Sequence, residues 1–309
     1  MADETPLVRS RKARSDLREA FQVAAVNALS YLPLPLLYSL SDLSYLWLYH
    51  VLRYQRGRVS ANLGRAFPAA PASELNRIAR RSYRNTIAAL FETIKVLRMS
   101  RAEILRRVQV RNLCLIEAYL SQGQTVIAAT AHQCNWEWLL PVVSATLPYP
   151  VDGVYKPLRS PALTALLIRV RSRFGSHPIP TTKVARELVK RRHIPRLLGL
   201  VADLCPATNE EKYWTRFLNQ DTAFYTGPAK LATAANAPLV FIAMSRNRRG
   251  YYEISFEPLA EPPYEETPAV ILERYVRRLE AQILSQPEDW LWIYPRWRYP
   301  KPRASGSSA

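Results

Sequence analysis

The sequence predicts an α/β fold, a mixed sheet flanked by helices, and three observations carry that expectation. Two apolar runs, TVIAAT at Thr125–Thr130 and LLGLVAD at Leu197–Asp203, have the length and branching of strands buried on both faces. Stretches with helical spacing of apolar residues separate the strand-like runs, as a largely parallel sheet requires. A hairpin of Pro238–Arg246 and Tyr251–Leu259, turning at Asn247-Arg248-Arg249-Gly250, adds an antiparallel pair and makes the sheet mixed.

Taken in order, Met1 to Arg18 is polar and then basic at Arg9, Arg11, Lys12 and Arg14, the pattern of a mobile arm or a surface contact. From Phe21 to Leu52 the chain is strongly apolar but broken by Pro33, Pro35 and Asp42. It falls short of the about 20 consecutive apolar residues of a clean membrane span. Two hydrophobic helices result, either a membrane-associated segment or a buried helical hairpin. Tyr45, Trp47 and Tyr49 resemble an interfacial aromatic belt, and Arg53, Arg56 and Arg58 form a basic flank favouring the cytoplasmic side. The expectation is therefore a membrane-anchoring N-terminal segment.

A helix follows from Ser73 to about Met99, with Arg77, Arg80, Arg81 and Arg84 on one face, and a second amphipathic piece runs from Arg101 to Leu120. Next come a strand at Val151–Tyr155, a helix stopped by Gly175, a helix at Thr182–Arg191, a helix at Gly227–Ala235 and a last amphipathic helix at Val270–Leu284. The divisions are residues 1–55 (arm and hydrophobic helices), 56–303 (the main domain) and 304–309 (a disordered tail).

Forty-three Lys and Arg against 25 Asp and Glu give a net charge of +18, which attracts nucleic acid, anionic lipid headgroups or an acidic protein. No recognition-helix or RNA-platform motif accompanies the charge, so no nucleic-acid partner is expected. Three cysteines without metal-site spacing, and no signal-peptide pattern, suggest reduced thiols and no metal. A G-x-S-x-G elbow is absent too.

Chemistry concentrates after Thr130. His132 and Glu137 are five residues apart, about 140° around an ideal helix, so they meet only if His132 sits in the turn before the helix and Glu137 reaches back from its first turn. A carboxylate on one imidazole nitrogen would leave the other free to take a proton from a hydroxyl. The same pattern also suits a structural His beside a helix cap, with Glu137 favouring the helix dipole. Asp203, at the carboxyl end of a strand, is a further site candidate. Arg169, Arg171 and Arg173 suit the end of their helix, or bind a phosphate or a carbonyl oxygen.

Six segments in order give the chain a recognisable character: NLGRAFP (Asn62–Pro68), the H-x-x-x-x-E corner, GVYKPLRSP (Gly153–Pro161), RSRFG (Arg171–Gly175), FYTGPAKLA (Phe224–Ala232) and PEDWLWIYPRW (Pro287–Trp297). Together they resemble the late (lauroyl/myristoyl) acyltransferases of lipid A biosynthesis, within the lysophospholipid acyltransferase superfamily. The resemblance implies a glycerol-3-phosphate-acyltransferase-like fold and transfer of a fatty acyl group to a hydroxyl of a lipid A precursor or related membrane lipid. The donor would be a thioester on acyl carrier protein or CoA, a co-substrate rather than a cofactor.

On that resemblance His132 is the general base and Glu137 its orienter. Arg171, with Arg173 and Lys156 as alternates, binds the oxyanion or a phosphate. Asn135, Tyr155, Arg159, Asp203, Thr226 and Gly227 are substrate-binding candidates. Implied partners are the acidic acyl carrier protein or CoA donor, the lipid acceptor and an anionic membrane surface; the implied place is the inner membrane, with the catalytic domain on its cytoplasmic face. Three positions depart from the family pattern around the acceptor pocket: Ala131 stands where many members have Asn, Lys156 where Arg is usual, and Leu204 where Gln is common. They leave an aminolipid or lysophospholipid acceptor open. A reading of another class is a non-catalytic basic protein binding a membrane surface.

Overall fold

The computed structural model describes residues 6–302, with side chains from Leu17 onward. The expected tail at 304–309, the first five residues of the arm and the side chains of Arg9, Arg11, Lys12 and Arg14 lie outside the described residues. The rest of the expected arm belongs to a helix, α1 (Pro6–Tyr31), followed by α2 (Leu34–Leu46).

Among the described residues no helix is long and apolar enough to cross a membrane. This corrects the membrane-anchoring segment expected at the N-terminus, and with it the inner-membrane placement. The physical reasons are length and polarity. α2 has 13 residues and spans only ~20 Å at 1.5 Å per residue, against the ~30 Å of a hydrocarbon core. α1 is longer but its first half, PLVRSRKARSDLRE, is charged. The supposed aromatic belt is divided as well: Tyr49 is buried and packs edge-on against Tyr83 at 5.1 Å.

Further along lie α3 (Arg56–Ala66), α4 (Ala72–Lys95), α5 (Arg101–Arg107), β1 (Val108–Val110), α6 (Cys114–Ser121), β2 (Val126–Thr130), α7 (Trp136–Thr146), β3 (Val151–Tyr155), α8 (Pro161–Arg171), β4 (His177–Pro180), α9 (Val184–Lys190) and β5 (Leu197–Val201). The chain ends with β6 (Lys212–Phe217), β7 (Gln220–Tyr225), α10 (Gly227–Ala235), β8 (Leu239–Arg248), β9 (Tyr251–Ala260) and α11 (Pro268–Ser285). Seven strands form one mixed sheet in the order β1-β9-β8-β2-β5-β3-β4, parallel throughout except for the β8–β9 hairpin. β6 and β7 make a separate antiparallel pair.

β2 lies at the centre, and every one of its residues is buried. Because side chains alternate across a strand, Ile127 and Ala129 join one core while Val126 and Ala128 join the other. β8 divides likewise, with Phe241 on the first face and Val240 and Ile242 on the second. The first face is covered by α3, α10, α11 and the first half of α4, and the second by α2, α6, α7 and α8. Gly123, at φ 81°, makes the left-handed turn that lets α6 reverse into β2. Asp152 on β3 is fully buried and held by Arg191 and Arg196, at 2.7 and 2.9 Å. Its charge therefore serves the packing of β3 against β5.

Candidate functional site

The site forms where β2 and β5 end side by side. Thr130 is paired with Val201, and the ladder continues one step through the Ala202 N–H on the Thr130 carbonyl at 3.1 Å. His132 and Asp203 each stand two residues beyond that last pair, so the register itself brings them together. His132 Nδ1 lies 2.6 Å from Asp203 Oδ1, and the His132 backbone N–H donates to Oδ2 at 3.1 Å. A third donor, the Trp290 indole N–H, reaches Oδ2 at 2.8 Å.

Burial pushes the Asp203 carboxyl upward, but the His132 imidazole and the donors on its oxygens outweigh burial and hold it below the usual carboxylate range. An ionised Asp203 fixes the proton on Nδ1 and leaves Nε2 as the acceptor of the neutral ring. The His132 side chain remains 17 % exposed, while that of Asp203 is 1 % exposed. One partner is accessible and the other is not, as a base and its orienter require.

Glu137, in the first turn of α7, does not bond His132. Its carboxylate receives two N–H groups from Arg171, Nε at 2.9 Å and Nη2 at 2.7 Å, in the bidentate geometry that suits a guanidinium. Trp136 stands between the two pairs, its ring 5.1 Å from that of His132 and its indole N–H on Glu137 Oε1 at 3.2 Å. The corner expected from His132 and Glu137 is thus two neighbouring pairs, and the orienting bond on the imidazole comes from Asp203. The register of two parallel strands was the signal available for this, and it needs the pairing as well as the sequence.

A partly open pocket lined in part by Glu137 and Arg171 lies between α7 and strands β2, β3 and β5. Its walls are chiefly apolar, with Trp136, Leu139, Val143, Val151 and Leu197 among them. Leu140 lies over Gly153, where an added Cβ would come within 2.4 Å of its Cδ2. At Gly199 an added Cβ would make ordinary van der Waals contact, its nearest neighbour being the Asp152 carbonyl oxygen at 3.7 Å. Trp138 does not line this pocket; it is fully buried and donates to the Glu92 carbonyl at 3.2 Å.

The remaining candidates separate. Tyr155 ends β3, its ring 5.8 Å from the Arg171 guanidinium. Lys156, Arg159 and Arg173 are exposed and enter no salt bridge among the described residues. Asn135 is buried and committed to Glu92, its amide donating at 2.8 Å. Thr226 and Gly227 open α10, with no hydrogen bond to the His132 cluster among the described residues. Cys134 has a left-handed backbone, φ 54°, and its buried thiol is pushed well up by desolvation, the opposite of an activated nucleophile. Among the described residues no three His, Cys, Asp or Glu side chains gather as a metal site.

Sequence reasoning also missed what holds the loop. Gln133 bridges Trp290 in antiparallel fashion, Cys134 N–H donates to the Asp289 carbonyl at 2.8 Å, and Leu291 N–H donates to the His132 carbonyl at 3.2 Å. That C-terminal strap is itself tied down by Asn62, whose amide serves the carbonyls of Trp292 and Tyr294 at 2.9 and 3.0 Å. From the other side, Glu92 is fully buried and accepts Tyr38 and Tyr252 hydroxyls as well as Asn135.

The family model for bacterial lipid A biosynthesis acyltransferases matches residues 9–299. The chain belongs to that family. A lipid A biosynthesis acyltransferase of Haemophilus influenzae is 21 % identical over 275 residues, covering 86 % of this chain and 82 % of that protein. The resemblance stated from six short motifs is thereby shown over nearly the whole length. As a member of the lipid A acyltransferase family, the chain carries three of those motifs in direct contact: NLGRAFP holds PEDWLWIYPRW through Asn62, and PEDWLWIYPRW holds the His132 loop.

Proposed function

We propose that the protein transfers a fatty acyl group from an acyl thioester, on acyl carrier protein or CoA, to a hydroxyl of a lipid A precursor or a related lipid. The observation that carries this reading is the His132–Asp203 pair, 2.6 Å apart, with the Trp136 ring that packs on the imidazole also lining an apolar pocket. A neutral hydroxyl attacks a thioester slowly unless its proton is removed as the bond forms. His132 Nε2 takes that proton, the hydroxyl oxygen bonds to the thioester carbonyl, and Asp203 stabilises the imidazolium. The carbonyl oxygen becomes an oxyanion beside Arg171, whose guanidinium Glu137 orients. On collapse the C–S bond breaks, the ester remains, and the imidazolium proton passes to the leaving thiolate.

Protons and charge in this scheme are handled by the chain's own side chains, with the thioester as co-substrate. The acyl chain enters the pocket beneath Trp136. Lys156, Arg159 and Arg173 lie exposed nearby in sequence and supply positive charge for an acceptor or pantetheine phosphate. The test is mass spectrometry of total lipids from cells with the protein, without it, and with His132→Ala. One lipid class should shift by the mass of an acyl chain, and the variant should match the deletion. A variant that restores the lipid would remove His132 from the chemistry, and an unchanged lipid profile in all three would remove the acyltransferase reading.

A further inference from the structure

Among the described residues Asp203 enters no salt bridge except with the imidazole when protonated, and the buried Arg296 nearby makes no hydrogen bond to it, yet Asp203 is fully buried and must stay aimed at one ring nitrogen. The geometry points to Trp290 as the positioning residue that does this, its indole N–H occupying the carboxylate oxygen that the imidazole does not use. The inference rests on the proposed function for its effect on rate, but not for its effect on the imidazole itself.

Trp290 acts on both halves of the pair. Its backbone bridges Gln133 in the loop that carries His132, while its side chain donates to Asp203 Oδ2 at 2.8 Å. It is 3 % exposed, with the Trp292 and Phe217 rings edge-on to it at 4.7 and 6.1 Å. The Ser82 hydroxyl holds its carbonyl at 3.2 Å. A carboxylate with one oxygen fixed by two N–H donors has a single orientation left for the other, which then fixes the imidazole.

Removing the indole N–H has a defined sign. A carboxylate with one donor fewer holds a proton more readily and also stabilises a neighbouring imidazolium more strongly. Either way the proton affinity of the coupled pair rises. Other titratable groups facing it are Tyr275 from α11 and Arg296 from the C-terminal segment, with Cys205 beside Arg296. Glu137 and Arg171 lie beyond Trp136. None of these is altered in the test.

The experiment compares Trp290→Phe with Trp292→Phe, which loses an indole N–H from the same strap but one that serves the Pro287 carbonyl. The His132 ring is titrated by NMR in the full chain, its signal among the four histidines assigned with His132→Gln. Expected is an upward shift of about half a pH unit or more in Trp290→Phe and none in Trp292→Phe. In the acyl-transfer assay the acid limb of kcat should move up with it, kcat should fall about tenfold, and KM for the thioester should hold.

An unmoved His132 titration in a folded Trp290→Phe protein, or an equal shift in Trp292→Phe, overturns the inference. If Trp290→Phe does not fold, benzothienylalanine at position 290 keeps the shape without the N–H and is read the same way. The titration needs no turnover, so a protein that transfers no acyl group would defeat the proposed function while leaving Trp290 to be decided on its own.

Discussion

At His132 the decisive quantity is which ring nitrogen keeps its proton, and Asp203 decides it from a position that water does not reach. Asp203→Asn retains the shape but replaces an ionised acceptor by an amide that also donates, so the wrong tautomer becomes available. We expect kcat to fall about 10²–10⁴-fold with the fold intact, checked by steady-state kinetics and near-UV circular dichroism. Stability carries a second signature. The Asp203 carboxyl is depressed in the folded protein, so its contribution is present above the unfolded pKa of about 3.9 and is lost as pH falls through the folded value. Denaturant titrations should thus show a wild-type advantage over Asp203→Asn that shrinks as pH falls below about 4. An advantage that went on growing below about pH 4 would contradict the depressed carboxyl. The sequence exposed His132 and Asp203 as polar residues just past strands and Glu137 in the first turn of a helix, but not their pairing. His132 and Glu137 are neighbours in the chain, whereas His132 and Asp203 are neighbours only through the sheet.

Elements explain the shape of the pocket. Its floor is strand β3 at Gly153 and β5 at Gly199, and the α7 residue Leu140 already fills the space over Gly153. On the proposed function Leu140→Ala should deepen the slot and shift the preferred thioester to longer acyl chains. Gly199→Val, placed where there is room for a Cβ, should shift it to shorter ones. Both are read as kcat/KM across a series of acyl lengths, and parallel changes at every length would show that the pocket does not take the chain. Strands β2, β3, β5, β8 and β9 were legible because they are apolar or alternate cleanly. β4 was not, since HPIP places two prolines in four residues, tolerable only on the sheet edge it occupies. The β6–β7 hairpin was hidden by its turn, where Leu218 and Asn219 are both left-handed, at φ 47° and 62°. Leucine is a poor turn signal; it is accepted there because its side chain is buried and Asn219 donates to the Ala66 carbonyl at 3.0 Å. Likewise the amphipathic piece read from Arg101 to Leu120 contains β1, three residues whose pairing with β9 lies far along the chain.

Over the whole molecule, charge and packing belong to different parts of the reading. The hydrophobic N-terminal stretch that suggested a membrane anchor instead gives one helix with a charged first half and a short one whose Leu34 and Leu37 enter the core beneath the sheet. Apolar composition alone does not distinguish those outcomes; the length of each uninterrupted helix does. The cations are different, because many of them are neutralised locally by pairs such as Arg84–Asp42, Arg171–Glu137 and Arg278–Glu257. The net +18 that remains acts at long range. If the donor is an acidic carrier protein, that field should speed its capture and leave the chemical step alone. Raising ionic strength from about 0.01 M to 0.15 M shortens the screening length from about 30 Å to 8 Å. Over that range kcat/KM for acyl carrier protein should fall at least about tenfold with kcat nearly constant, while a small thioester bearing the same acyl chain should change little. Equal salt dependence for the two donors would mean that the carrier protein makes no use of the charge. A steep dependence for the carrier alone would assign the surplus of arginine to donor capture, since the pocket and the His132–Asp203 pair are common to both reactions.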